Sequence, residues 1–300
     1  MNKRFMLAGA VLMVVGVAIF VAAFAISGFS FSRLDTAEYD SNAHTITKDF
    51  EKIEIRTDEA DITFKQSPDG IAHVDCIERG KVKHEVSVEN GTLKVVAVDR
   101  RSWFDRIALF SIKSQSVTVY LPDEYYKALK LESDTGDVLI PSEFSFGNAD
   151  ITTSTGEVVF NASVNELIKI ETSTGGIRIS GVHADTVDLS VSTGITDIRN
   201  VECRILRSDG STGDIVLQNV IASDSIGIER NTGDVTFESC DSGQITVETS
   251  TGEVMGTLCS EKVFVTETST GKISVPGTTS GGRCEITTST GDISIDIIKQ

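Results

Sequence analysis

Six carboxylates stand four residues before the glycine of a recurring Thr-Gly pair: Glu132, Glu171, Asp209, Glu229, Glu248 and Glu267. Six more follow the glycines directly, at Asp137, Glu157, Asp214, Asp234, Glu253 and Asp292. With the repeats stacked in register, Asp209, Glu229, Glu248 and Glu267 are expected to form consecutive acidic rungs, flanked by Asp214, Asp234 and Glu253. Neighbouring carboxylates ~5 Å apart in water repel by ~0.8 kcal/mol. The serine or threonine found at Thr152, Ser190 and Thr287 avoids that cost. Two readings follow. Either the charges are a solvated edge that aids solubility, or they recruit a divalent cation or a basic ligand such as a cationic peptide. Calcium suits such a ladder because it accepts several carboxylate oxygens in flexible geometry.

The elements that must position these charges are legible in the spacing. The glycines are Gly136, Gly156, Gly175, Gly194, Gly213, Gly233, Gly252, Gly271 and Gly291, always 19 or 20 residues apart. A period that strict means one supersecondary unit stacked on copies of itself. Seven and five residues before each glycine the side chains are mostly apolar, as at Ile168 and Ile170, with Ser208 and Thr266 as polar exceptions. Two and four after it stand pairs such as Val158/Phe160 and Ile215/Leu217. Period two on both sides of a turn is the mark of half-buried strands. Each repeat therefore reads strand, Thr-Gly turn, strand and a looser corner. The expected fold is all-β, a single-chain parallel β-solenoid (β-helix) of 19–20-residue coils, and the crossover rule favours a right-handed wind. With strands ~4.8 Å apart the coils make a rod of roughly 40 Å.

Glycine in every copy predicts a positive φ at that position, and the Ser, Thr or Asx residues before it are expected to satisfy the turn's backbone amides. The paired threonines Thr153/Thr155, Thr172/Thr174, Thr249/Thr251, Thr268/Thr270 and Thr288/Thr290 also suggest an ice-binding array. They share parity with the inward aliphatics, however, and the array is interrupted at Val191, Gly210 and Arg230.

At the other end, Phe5 to Phe29 is an uncharged apolar run, polar only at Ser27, and long enough to span a bilayer as a helix. Lys3 and Arg4 precede it, which argues for a cytoplasmic N-terminus and an exported remainder. The alternative is a cleaved signal peptide, with Ala23-Phe24-Ala25 as the processing site and a secreted product. The expected organisation is a cytoplasmic tail at 1–4, a transmembrane anchor at 5–29, a stalk at 30–48, an irregular N-terminal solenoid portion and cap at 49–128, and regular repeats at 129–300. The insertion from Arg100 to Arg106, with Trp103 beside three arginines, reads as a cap loop or as a contact with membrane or partner.

The apolar N-terminal run, the segment Ala60-Asp61-Ile62-Thr63-Phe64, the Leu121-Pro122 lead-in and the serial Ser-Thr-Gly-Asp/Glu-Val/Ile units resemble the bacterial putative-adhesin family of β-strand-repeat envelope proteins, a domain of unknown function. The likeness covers roughly residues 48–300. It implies a β-solenoid ectodomain with a role in adhesion or envelope stress, and it brings no binding residues to carry over.

Formal charge agrees with an exported protein that avoids nucleic acid: −17 overall, which repels phosphate backbones and anionic lipids and favours basic partners or cations. Cys76, Cys203, Cys240, Cys259 and Cys284 show no metal-ligand spacing. Cys240 and Cys259 are expected in adjacent coils, either as buried thiols or, on distance alone, as a disulfide. Asp134-Thr135-Gly136 and Asp241-Ser242-Gly243 imitate aspartic-protease loops, whose carboxylates must converge on one water. The histidines His44, His73, His84 and His183 join no nucleophile motif. The reading is a membrane-anchored, extracytoplasmic, non-catalytic scaffold for binding, adhesion or envelope stress, with no cofactor and with an envelope component, basic peptide or divalent cation as partner. A glycan-acting β-helix enzyme is the alternative, and an ice-binding solenoid a minor one.

Overall fold

The computed structural model describes residues 3–26, 39–101 and 115–298. Positions 102–106 of the arginine-rich insertion and 30–38 of the expected stalk lie outside the described residues. A single helix is described, Lys3–Ile26. Its side chains are described only at positions 9, 11–22, 24 and 25. Large apolar groups among them, such as Leu12 and Met13, are exposed. Taken over the described residues, no helix is long and apolar enough to cross a membrane.

Everything else that is regular is β, in one continuous sheet wound on itself. The coils pair parallel and in register, so that Thr155, Thr174, Thr193, Thr212, Thr232 and Thr251 lie in one column. The alternation read from the sequence faces the way it must: Ile168, Ile170, Ile177 and Ile179 are buried, as are their counterparts Leu206, Ile215 and Leu217. The paired-threonine array fails as an ice-binding face because half of it points inward, with Thr153, Thr172, Thr249 and Thr288 buried in the solenoid.

The turn is held differently from the expected hydroxyl scheme. Every repeat glycine but Gly271 donates its N–H to a threonine carbonyl of the adjacent coil, for instance Gly213 to Thr232 at 2.9 Å and Gly233 to Thr251 at 2.9 Å. The amide after the glycine is taken by a carboxylate of the neighbouring coil: Glu157 N donates to Asp137 Oδ1 (2.8 Å), Asp234 N to Asp214 Oδ1 (2.9 Å) and Glu253 N to Asp234 Oδ1 (2.8 Å). The turn hydroxyls donate to carbonyls instead, as from Thr153 Oγ1 to the Thr155 oxygen. Positive φ holds at every repeat glycine except Gly271, and Gly213 sits at +130°. A second constraint acts at the same place: a Cβ on Gly213 would lie 1.9 Å from the carbonyl oxygen of Gly194 in the coil above. The looser corner has its own column of positive φ at Gly181, Asn200, Asn219 and Ser239, and Asn219 Nδ2 donates to Asn200 Oδ1 at 3.0 Å. Asn tolerates the left-handed region with little strain.

At both ends the order in the stack departs from the order in the chain. The strand Gln244 shares with Ser250 pairs not with the following repeat but with Gly282–Thr290, the last one, whose Cys284 and Ile286 sit beside Ile245 and Val247. The intervening repeat, Lys262–Thr270, pairs on the far side of Gly282–Thr290 and closes the stack. At the other end Lys52–Gln66 lies between the coil of Tyr125–Thr135 and an outer layer made by Thr92–Asp99 and Gln115–Leu121, which come later in sequence. Antiparallel strands finish this cap: Val82–Glu89 on Thr92–Asp99, and Ala72–Arg79 on Gln115–Leu121. Tyr39–Ile46, expected within a stalk, is instead a strand antiparallel to Ala72–Arg79. Its alternate residues Asn42, His44 and Ile46 lie opposite Cys76, Val74 and Ala72, so a hydrophobic neighbour was waiting for a segment whose own composition is polar.

Candidate functional site

The acidic ladder is real but shorter than the sequence suggests. Asp209 pairs with Glu229 and Glu229 with Glu248, three consecutive rungs. Next comes Thr287, and Glu267 lies beyond it, because the last two repeats exchange places in the stack. Asp214, Asp234 and Glu253 belong to the separate column after the glycine. Asp214 and Asp234 are already engaged there as acceptors for the next amide, which gives these carboxylates a backbone task.

The rungs also differ in their electrostatic company. Glu132 is neutralised by Lys130 at 2.9 Å and Arg56 at 3.4 Å, and Glu171 by Lys169 at 2.8 Å. Among the described residues, Asp209, Glu229 and Glu248 form no comparable ion pair. They are exposed and edge a groove of about 450 Å³, completed by Ser190, Ser211, Asn231 and Ser250.

Beneath this groove the repeat pattern breaks at several columns together. Ser208 stands where Leu189 and Ile228 supply core aliphatics, Gly210 where other coils have Val191 or Thr249, and Thr196 where they have Ile177 or Ile215. Arg230 stands in the same inward column as Gly210 and fills the space so created, with its guanidinium inside the solenoid and the residue only 5 % exposed. Nη1 donates to the carbonyls of Ser208 (3.0 Å) and Glu229 (2.8 Å), and Nη2 to Ser208 Oγ (2.8 Å) and Thr196 Oγ1 (3.3 Å). Burial pushes this arginine down to about 10, with Asp209 acting in the opposite sense. It remains a cation at neutral pH. A Cβ on Gly210 would come within 2.8 Å of Nη1, so the glycine and the arginine are a matched pair. Sequence reasoning registered Ser208, Gly210 and Arg230 only as interruptions. The signal that marks them is that the breaks fall in adjacent coils and in columns that meet inside.

The other expectations resolve as follows. The protease-like loops do not converge: Asp134 and Asp241 belong to coils far apart in the stack. Asp241 accepts from Ser242 N (2.8 Å), Ser260 Oγ (2.7 Å) and Lys262 Nζ (2.5 Å), which together outweigh its burial and hold its carboxyl below the ordinary range. None of the five cysteines is in a disulfide. Cys240 and Cys259 do lie in adjacent coils, joined by the Cys259 amide on the Cys240 carbonyl at 2.9 Å, but Leu258 is the residue opposite Cys240. Two groups read as scattered are brought together: Cys76 and His84 lie in the N-terminal cap beside Glu78.

Comparison with known proteins places the architecture. A putative adhesin from Parabacteroides distasonis ATCC 8503 superposes with a TM-score of 0.54 at 12 % identity, covering 87 % of this chain and 98 % of that one. A putative adhesin from Bacteroides fragilis NCTC 9343 gives 0.48 at 13 % identity, over 86 % and 97 %. A putative lipid binding protein, also from Parabacteroides distasonis ATCC 8503, gives 0.32 at 11 % identity, over 87 % and 98 %. No curated protein matches. At these identities the likeness is one of fold. The model of one sequence family, however, spans the solenoid and its cap from residue 50 to residue 296, and the chain accordingly belongs to the Toastrack DUF4097 family.

Proposed function

We propose that this protein is a membrane-anchored, extracytoplasmic scaffold that binds without catalysis, and that its binding surface is the groove over Asp209, Glu229 and Glu248. The observation that carries the reading is three stacked carboxylates with no ion pair to an exposed lysine or arginine among the described residues, bordering a recess of about 450 Å³. With only the buried Arg230 near Asp209 to offset them, while Glu132 and Glu171 are neutralised at the surface, they mark the stretch where an external cation gains most. The ligand is a basic segment of an envelope component or a divalent cation, held by the rungs and oriented by the hydroxyls of Ser190, Ser211 and Ser250. Among the described residues lining this recess, no acid and base converge as a glycan substrate would require; incubation with a glycan panel is expected to leave the glycans intact.

Calorimetric titration tests the groove. A lysine-rich peptide, calcium and magnesium are each titrated into the wild type and into Asp209→Asn/Glu229→Gln/Glu248→Gln. Saturable binding of at least one ligand is expected in the wild type and a loss of ten-fold or more in the triple variant, since each exposed charge pair is worth up to about 1 kcal/mol. Glu267→Gln, separated from the ladder by Thr287, is expected to bind as the wild type does. Wild-type protein that binds none of the three leaves the ladder a solvated edge.

Anchoring rests on the apolar stretch from Phe5 to Phe29 behind Lys3 and Arg4, which favours retention with the N-terminus in the cytoplasm. The mature protein is expected in the membrane fraction with Met1 or Asn2 at its start, and residues beyond Ser30 open to external protease. An N-terminus mapped just after Ala25 points instead to a secreted protein.

A further inference from the structure

The N-terminal cap holds a second polar cluster, remote from the groove. The hairpin strands Ala72–Arg79 and Val82–Glu89 diverge after their turn, one pairing with Gln115–Leu121 and the other with Thr92–Asp99. Cys76 and Glu78 on the first strand and His84 on the second face each other across the gap, all three buried. Cys76 Sγ, a Glu78 carboxylate oxygen and a His84 ring nitrogen lie within 4.8 Å of one another. The imidazole is sealed in, its side chain 1 % exposed, yet neither Nδ1 nor Nε2 has a hydrogen-bond partner in the protein. Nδ1 is 3.4 Å from Glu78 Oε1 without hydrogen-bonding geometry. His44, on the inward parity of Tyr39–Ile46, adds a third buried imidazole nitrogen without a partner, Nε2, and is near enough to His84 for their charges to interact.

A core pays for buried polar atoms only when they are satisfied, and a histidine with both nitrogens unpaired is satisfied by something from outside. We propose that Cys76, Glu78 and His84 form a zinc site, with the fourth position open to a water molecule. One sulfur, one oxygen and one imidazole nitrogen are a donor set for tetrahedral zinc, whereas calcium and magnesium take oxygen donors. Ligands around zinc at about 2.0–2.3 Å lie closer together than the cluster's present limit, so the site closes by a small contraction. Binding displaces the proton of the Cys76 thiol to solvent, and the thiolate and carboxylate together match the two positive charges of the ion. The surroundings are consistent with an orienting shell: Glu78 accepts from Asn42 Nδ2 and from the His84 amide, and Lys83, 3.4 Å from Glu78, is held outward by Asp40 at 2.5 Å. Such a site ties together two strands of the cap, Ala72–Arg79 and Val82–Glu89.

The test uses the full-length chain in detergent, stripped with a chelator and dialysed. Zinc is titrated against a chromophoric chelator, and cobalt is followed through the thiolate-to-metal charge-transfer band. The expected result is one zinc per chain, a thiolate band with cobalt, and a rise in melting temperature on adding zinc. Cys76→Ser is expected to abolish the cobalt band, and His84→Gln to weaken zinc binding by at least about ten-fold. If Cys76→Ser does not fold, X-ray absorption at the zinc edge of the wild type decides, with one sulfur in the coordination sphere expected. A wild type that binds neither metal at micromolar concentration, a sphere without sulfur, or variants that bind as tightly as the wild type, overturn the proposal.

Discussion

Gly213→Val is expected to destabilise the protein by about 3–5 kcal/mol and to lower its melting temperature by roughly 10 °C. Two independent costs act at the same atom. At φ +130° a β-branched residue is strained by about 1–3 kcal/mol. A Cβ would also meet the Gly194 carbonyl oxygen at 1.9 Å, and a backbone carbonyl in a parallel ladder cannot swing aside without breaking the hydrogen bonds on both sides. The effect should propagate, because Thr212, next to Gly213, accepts the Gly194 amide while Gly213 donates to Thr232. Lys169→Ala, which removes an exposed ion pair with Glu171, is expected to change stability by no more than about 0.5 kcal/mol. Thermal and denaturant melting of the two variants side by side is the measurement, and equal shifts would show that the turn tolerates a side chain.

The second large effect is expected at Arg230. Arg230→Ala removes a buried guanidinium and leaves the Ser208 carbonyl and hydroxyl, the Thr196 hydroxyl and a void above Gly210, a combination that should cost about 2–4 kcal/mol. The guanidinium itself is not what the fold requires. Ser208→Leu/Gly210→Thr/Arg230→Thr, which restores the side chains found in the same columns of other coils, is expected to melt within about 1 kcal/mol of the wild type or above it, since a buried charge replaced by well-packed groups is often neutral or stabilising. The same variant rebuilds the floor of the groove, where Gly210 and Arg230 lie, and keeps Asp209, Glu229 and Glu248. A stable protein with altered binding would separate the cluster's role in recognition from any role in folding. A regularised variant that fails to fold would instead make the buried polar set a structural requirement.

The coil itself was legible because its determinants are local. The inward parity of Ile168 and Ile170, the turn at each Thr-Gly and the positive φ at Gly213 all follow from residues within a few positions of one another. The order of the coils was not legible at the ends, for the same reason. Every repeat presents the same edge, so nothing in the local pattern of Lys262–Thr270 or Gly282–Thr290 tells which of them meets the strand of Glu248. Glu267 was accordingly placed one rung too close. Arg230 was missed on different grounds: a single inward arginine contradicts the rule of buried strands, and only with Thr196, Ser208 and Gly210 brought round to face it does the contradiction become a cluster. The cap histidines required more still, since His44 reaches its neighbours only through a strand pairing that a polar composition gave no reason to expect.

The exchanged coils change what it means to lose one segment of this chain. Residues 282–294 follow Lys262–Thr270 in the chain, yet they lie between the strand of Glu248 and that of Glu267. Until they emerge, the repeat at Lys262–Thr270 has no place to dock, and the preceding coil presents an open edge. A nascent or clipped molecule lacking them is therefore not a rod shortened by one layer but a rod with a missing inner plank and a loose lid. In the intact protein both edges of Gly282–Thr290 are occupied by neighbours, so that strand cannot peel away without first lifting the lid.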